Sequence, residues 1–98
     1  MSKAEREYMS KVARLGCVVC WRLYGPHDPG PVELHHPRTG AGMGRRASNE
    51  DVLPICYEHH RGDTGLHGMG RKAFESHYGF TEMELLDDVR KRVGADKR

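Results

Sequence analysis

Two ligand pairs constrain this chain more than anything else in it: Cys17-x-x-Cys20 and, much further along, Cys56-x-x-His59. At this spacing a tight knuckle or one helical turn can aim both side chains at a single ion, and four such ligands complete a closed, tetrahedral Cys3His zinc site. Zinc there would tie the end of a first helix to the end of a strand, and its binding free energy, roughly 10 kcal/mol or more, counts directly as folding free energy. The chain needs that contribution. It has 98 residues, and a chain of this size buries only about 60% of its unfolded surface. Only 37% of the residues are hydrophobic and 31% are charged, so the apolar core is small. The plainer reading, a set of buried free thiols, requires the third cysteine to have a histidine at ligand spacing by coincidence.

Three cysteines is an odd count, and no signal-like apolar stretch opens the chain. Both facts argue against a secreted disulfide framework and for ligand cysteines in a reducing cytosol. No run approaches the roughly 20 apolar residues of a bilayer span. A soluble, cytoplasmic protein without a membrane partner is expected. The net charge of +2 permits binding to a polyanion without demanding it. Its distribution is more telling: Arg38, Arg45 and Arg46 cluster around Gly40, Gly42 and Gly44, while Arg61, Arg71 and Lys72 flank a second His-rich segment. Acidic residues gather elsewhere, at Glu82, Glu84, Asp87 and Asp88.

Ser2 and Glu5 make a capping-box signature, and Ala4, Tyr8, Val12 and Leu15 recur at helical spacing, so residues 2–14 read as an amphipathic helix stopped by Gly16. The Gly/Pro-rich stretch from Gly25 to Pro31 reads as a loop. Val32 to His36 reads as a short strand stopped by Pro37, and Asp51 to Ile55 as a second one, which Pro54 makes an edge or terminal strand. A helical turn follows from Cys56 to Arg61, interrupted by Gly62 and Gly65, and a helix resumes near Met69 and runs to Tyr78. Thr81 and Glu84 make a second capping box, opening a helix that turns Met83, Leu86, Val89 and Val93 inward. Residues 94–98 are expected to fray. The expected fold is α+β: a single domain over residues 1–98, with an N-terminal helix (1–16), a zinc-stapled centre (17–61) and two C-terminal helices within 69–93.

Once zinc has taken His59, its neighbour His60 would point about 100° away on a helical turn, toward a different site. His35 and His36 are adjacent on the first strand and face opposite sides of it, so they suit different tasks. One can join His60 on a metal and the other can serve as a general base, because an unperturbed imidazole titrates near neutral pH. His67 is a third candidate ligand. His27 and His77 have no motif context and read as surface or packing residues, and Trp21 reads as cover for the zinc site.

The run Cys17-x-x-Cys20, then Leu34-His35-His36-Pro37, then Asn49 and Asp51, then Leu53-Pro54-Ile55-Cys56-x-x-His59-His60 resembles the HNH (ββα-metal) endonuclease pattern, with His59 where that pattern usually has a fourth cysteine. Gly65-Leu66-His67-Gly68, Phe74, Tyr78-Gly79 and Thr81-Glu82 resemble more narrowly the phage recombination-enhancement (Ref) nucleases, which act with RecA. The first likeness covers residues 17–60 and the second extends to about residue 86. Together they imply a ββα-metal core and a DNA endonuclease of a bacterial or phage-infected cell. In that reading His36 is the general base that deprotonates the attacking water. His35 and His60 hold a divalent ion, magnesium or manganese, at a site that zinc can also enter. A residue before the second strand, usually Asn in the family, fixes the base. Position favours Asp51 and residue type favours Asn49, and Asn49 is preferred. The narrower likeness implies targeting by a RecA filament on single-stranded DNA, although residues 1–16 are fewer than the long N-terminal DNA-binding arm expected in that family would need.

For DNA contact, the loop from Arg38 to Arg46 is the expected backbone clamp, with Arg61 beside it, because its glycines allow close approach and guanidinium forks suit phosphate oxygens. Such contacts position without reading sequence, so low intrinsic sequence specificity follows. Two other readings compete: a non-catalytic zinc module that binds nucleic acid or protein, and a regulatory protein whose His60 and His67 help hold a second structural zinc. A purely structural site has no use for His35, His36 and His60 on converging elements, and that surplus separates the enzyme from the module.

Overall fold

Ser2 and Glu5 cap each other at the start of the first helix: the Glu5 amide donates to the Ser2 hydroxyl at 3.1 Å and the Ser2 amide to the Glu5 carboxylate at 2.9 Å. From that nucleus α1 (Lys3–Arg14) turns Val12 fully inward with Tyr8, Met9 and Leu15 partly buried around it. The computed structural model describes residues 2–27, 30–37 and 51–96. Gly16 then takes a φ of +82°, a conformation glycine adopts without a steric penalty, and redirects the chain into α2 (Val18–Tyr24).

This second helix departs from the sequence reading, which has a knuckle followed by loop. Cys17 is its N-cap, accepting the Cys20 amide on its sulfur at 3.4 Å. Val18 and Val19 are fully buried, so tertiary burial outweighs the modest helix preference of β-branched residues. The strands are shorter than the hydrophobic runs suggested. Antiparallel β1 (Glu33–His35) and β2 (Leu53–Ile55) pair Glu33 with Ile55, Leu34 with Pro54 and His35 with Leu53. His36 and Pro37 lie just past the end of β1.

Beyond β2 come α3 (Tyr57–Arg61), α4 (Leu66–Met69), α5 (Arg71–Tyr78) and α6 (Glu82–Asp96). The helix expected from near Met69 to Tyr78 is α5, which starts at Arg71 after Gly70 at a φ of +89°, and the short α4 before it is an element the sequence reading does not contain. Both halves of the Thr81–Glu84 capping box are present, at 3.0 and 3.1 Å. From it α6 continues through Gly94 to Asp96, three residues past the expected end. Its inward stripe is Glu82, Leu85, Leu86, Val89 and Val93, and Met83 faces outward, 43% exposed, contrary to expectation. The core joins these residues to Val12, Val18, Val19, Leu53, Ile55 and Phe74. Outside it, Arg22 donates to Asp88 at 2.8 Å, and Arg92 stacks over Trp21 while donating to the Leu15 carbonyl at 3.0 Å. The layers are thus helices packed around a two-stranded sheet, an α+β arrangement.

Candidate metal centres

Two elements bring the two ligand pairs together. Cys17 and Cys20 come from the first turn of α2, Cys56 caps α3, and His59 lies one turn into α3. The four ligand atoms lie within 4.8 Å of one another. Cys20 and Cys56 sulfurs are 3.9 Å apart, too far for a disulfide, and the His59 Nδ1 sits 3.3, 3.4 and 3.9 Å from Cys56, Cys20 and Cys17. A tetrahedron with Zn–S of about 2.3 Å and Zn–N of about 2.0 Å has edges of about 3.8 Å between sulfurs and about 3.5 Å from sulfur to nitrogen. The donor set and its spacing therefore fit a zinc ion. The electrostatics point the same way. Burial, with the neighbouring Cys17 adding to it, pushes the Cys20 thiol up to about 12, and burial raises Cys17 as well. Burial also holds His59 below the ordinary histidine value, which favours the neutral imidazole a metal requires. A cation is what this cluster needs to hold its thiols as thiolates.

The next residue of the same helix belongs to a second cluster. His60, 4% exposed, turns away from the cysteines toward His35 on β1, and His67 on α4 completes the group. Their ligand nitrogens also lie within 4.8 Å of one another, and the His35 ring meets those of His60 and His67 edge-on at 5.1 and 5.3 Å. Close packing of α4 on α3 puts His67 there. A Cβ on Gly68 would stand 2.0 Å from the Gly62 carbonyl oxygen, and one on Gly65 would stand 2.5 Å from that of Glu58. Only glycine permits the approach.

Two carboxylates that the sequence reading passed over stand behind these imidazoles. His35 Nε2–H donates to Glu82 at 2.8 Å, and His60 Nδ1–H donates to Glu33 at 2.6 Å. The inner nitrogens, Nδ1 of His35 and Nε2 of His60, then face each other at 3.3 Å. Glu33 shares a strand face with His35 two residues on, a period-2 signal that was available. Glu82, at the first position of α6 and 2% exposed, belongs in the sequence to an acidic group remote from the histidines, and no sequence spacing links it to His35. Arg71 lies 4.0 Å from Glu82, and a cleft of about 350 Å³ opens between His35, Leu66, His67, Gly70, Arg71 and Glu82.

The remaining candidates lie in different surroundings. His36 is half-buried beside His35. Asp51 is ion-paired with Arg90 of α6, and Arg61 donates to Glu33 at 3.0 Å with its side chain 56% exposed. Asn49, Arg38, Arg45 and Arg46 fall outside the described residues. Among the described residues no helix is long and apolar enough to cross a membrane. No curated protein and no solved structure matches the chain significantly. Residues 2–93 match the family model for recombination enhancement, RecA-dependent nucleases. That match takes in α1, both metal-ligand clusters and almost all of α6, and on it the chain belongs to the family of recombination enhancement, RecA-dependent nucleases.

Proposed function

We propose that this protein is a metal-dependent DNA endonuclease of the HNH type, in which β1, β2 and α3 form a ββα-metal core stapled by zinc at Cys17, Cys20, Cys56 and His59. The observation that carries the reading is the second cluster: three imidazoles converging beside a separate, complete zinc set, on the edge of an open cleft. His35, His60 and His67 hold the working ion. A divalent ion in that position supplies Lewis-acid stabilisation of the charge that develops on the phosphoryl group and the leaving oxygen. His36, next to His35 in sequence, accepts the proton of the attacking water. Asn49 orients that imidazole, a role for which Asp51 is less suited because Arg90 engages its carboxylate. Arg38, Arg45, Arg46 and Arg61 bind backbone phosphates, which makes cleavage tolerant of sequence. The family's name adds the expectation that a RecA filament on single-stranded DNA directs the cut. Imidazole donors suit manganese or a later transition ion better than magnesium.

The test is nicking of plasmid DNA by the purified protein with manganese or magnesium, with and without a RecA filament paired to the target. His36→Ala should lower the rate roughly 10²–10⁴-fold, the usual contribution of general acid–base catalysis, with its zinc content unchanged. If the native chain nicks DNA under none of these conditions, the enzyme reading fails and the non-catalytic zinc module replaces it.

A further inference from the structure

We propose that Glu82, with Glu33 as its counterpart, is a positioning carboxylate that fixes the tautomer and aim of a metal-binding imidazole: Glu82 for His35 and Glu33 for His60. The inference rests on the reading that His35, His60 and His67 form a metal site. A neutral imidazole carries one N–H and one lone pair, and which nitrogen holds the proton is decided by the hydrogen bond the other nitrogen can make. Glu82 accepts from His35 Nε2 at 2.8 Å, which leaves the Nδ1 lone pair free to point inward. Glu33 accepts from His60 Nδ1 at 2.6 Å, which leaves the Nε2 lone pair pointing inward. The two histidines therefore use opposite nitrogens, and each choice is matched by the carboxylate behind it. With both rings neutral and so oriented, the 3.3 Å separation between the inner nitrogens sets two lone pairs against each other, a contact that a metal ion or a proton between them relieves. It is also close to the edge, about 3.3 Å, of a tetrahedron built on metal–nitrogen bonds of about 2.0 Å.

Glu82 is the more consequential of the pair. Its side chain is 3% exposed against 39% for Glu33, so water cannot replace it as a partner for His35. The surroundings hold it in place. Its amide donates to Glu75 at 2.9 Å, Arg71 lies 4.0 Å from its second oxygen, and it opens the longest helix of the described residues. A carboxylate at a helix N-terminus is favoured by the helix dipole, so α6 both carries the group and stabilises its charge. Carboxylates behind metal-bound histidines commonly change metal affinity by roughly 10–100-fold when removed.

The experiment uses the full chain with its Cys3His site loaded with zinc and its second site titrated with Co2+, read by the visible d–d absorption. Alongside it, two-bond 1H–15N correlation spectra of the imidazoles, recorded before cobalt is added, report the tautomers. Native protein should show His35 as the Nε2–H form and His60 as the Nδ1–H form. Glu82→Ala should weaken Co2+ binding roughly 10–100-fold and release His35 from the Nε2–H form, with one zinc retained. Glu82→Gln can still accept through its amide oxygen, so it should keep the His35 tautomer and lose affinity by a smaller factor. Cobalt affinity within twofold of native in Glu82→Ala, with the His35 tautomer unchanged, overturns the proposal. Should Glu82→Ala lose its zinc and its fold, Glu82→Gln decides: unchanged cobalt affinity overturns the proposal, and a loss with retained tautomer supports it. Plasmid nicking by the native chain stays a separate measurement. Weakened cobalt binding in a chain that never cuts DNA would support the carboxylate's role and sink the nuclease reading, and the converse result would do the reverse.

Discussion

At the scale of single residues, the two clusters differ in what they ask of a proton. Cys17 and Cys20 are both pushed above the ordinary thiol value of 9.0, chiefly by burial, so below pH 8 they hold their protons until a metal arrives. His59 is held below 6.5 and is already neutral at pH 7. Zinc binding at pH 7 should therefore release at least two protons, one from each of these thiols, and affinity should rise about a hundredfold or more per pH unit and fall equally fast on acidification. Calorimetry in buffers of different ionisation enthalpy reads the proton count directly, and a value below one would contradict it. Asp51 and Asn49 pose a second residue-scale question. The Asp51–Arg90 pair is partly exposed, at 30% and 52%, and exposed pairs contribute about 0–1 kcal/mol. Asp51→Asn should thus lower the melting temperature by a few degrees and leave DNA nicking within a few-fold of native. Asn49→Ala should slow nicking by about 10²-fold if it orients the general base. The reverse ranking would transfer the orienting role to Asp51. What sequence could and could not reveal divides along the same line. The grouping of Cys17, Cys20, Cys56 and His59 was legible because x-x spacing is a local constraint. Glu82 was not, because it reaches His35 from 47 positions away and only the packing of α6 brings it there.

At the scale of elements, local signals succeeded where the chain satisfies its own ends. Both capping boxes, at Ser2 and at Thr81, opened helices where hydroxyl and carboxylate spacing said they would. Local reading failed where tertiary packing chose the conformation. The valines of α2 form a helix because they are fully buried, and the turn of α4, which ends at Gly70 in a conformation few other residues adopt, has no counterpart in the sequence reading. The glycines between α3 and α4 read in the sequence as interruptions, and in the fold they are points of contact. Gly68 lets α4 lie so close that a Cβ would meet the Gly62 carbonyl oxygen at 2.0 Å. Backbone cannot yield as a side chain can, so Gly68→Ala should move α4 outward and His67 with it. Overpacking of this kind costs about 1–3 kcal/mol, a fall of roughly 4–20 °C in melting temperature for a domain of this size. Second-site cobalt affinity should fall with it while the Cys3His zinc stays in place. A Gly68→Ala protein with native stability and native cobalt affinity would mean that α4 is not held by this approach.

At the scale of the whole molecule, the two candidate metal clusters are joined by one short helix. α3 places His59 among the cysteines and His60 against His35, and its N-cap position is Cys56, itself a candidate ligand. Five residues cannot sustain an isolated helix in water, so α3 exists by virtue of what its ends are tied to. Dependence between the sites should accordingly run in one direction. If the cysteine cluster holds zinc, Cys56→Ser removes one of its ligands, and with it much of a binding contribution of roughly 10 kcal/mol, against a total stability for ordinary domains of about 5–15 kcal/mol. That variant should lose its zinc, most of its cooperative unfolding transition and all measurable cobalt binding at the histidine cluster. His35→Ala takes away only one imidazole of the second cluster, leaves α3 anchored, and should retain one equivalent of zinc and a melting temperature within several degrees of native while cobalt binding weakens. Metal analysis and thermal unfolding of the two variants side by side test the hierarchy. If Cys56→Ser keeps native cobalt affinity, α3 is held by the apolar core alone, and the cysteine cluster is not the scaffold on which the histidine site stands.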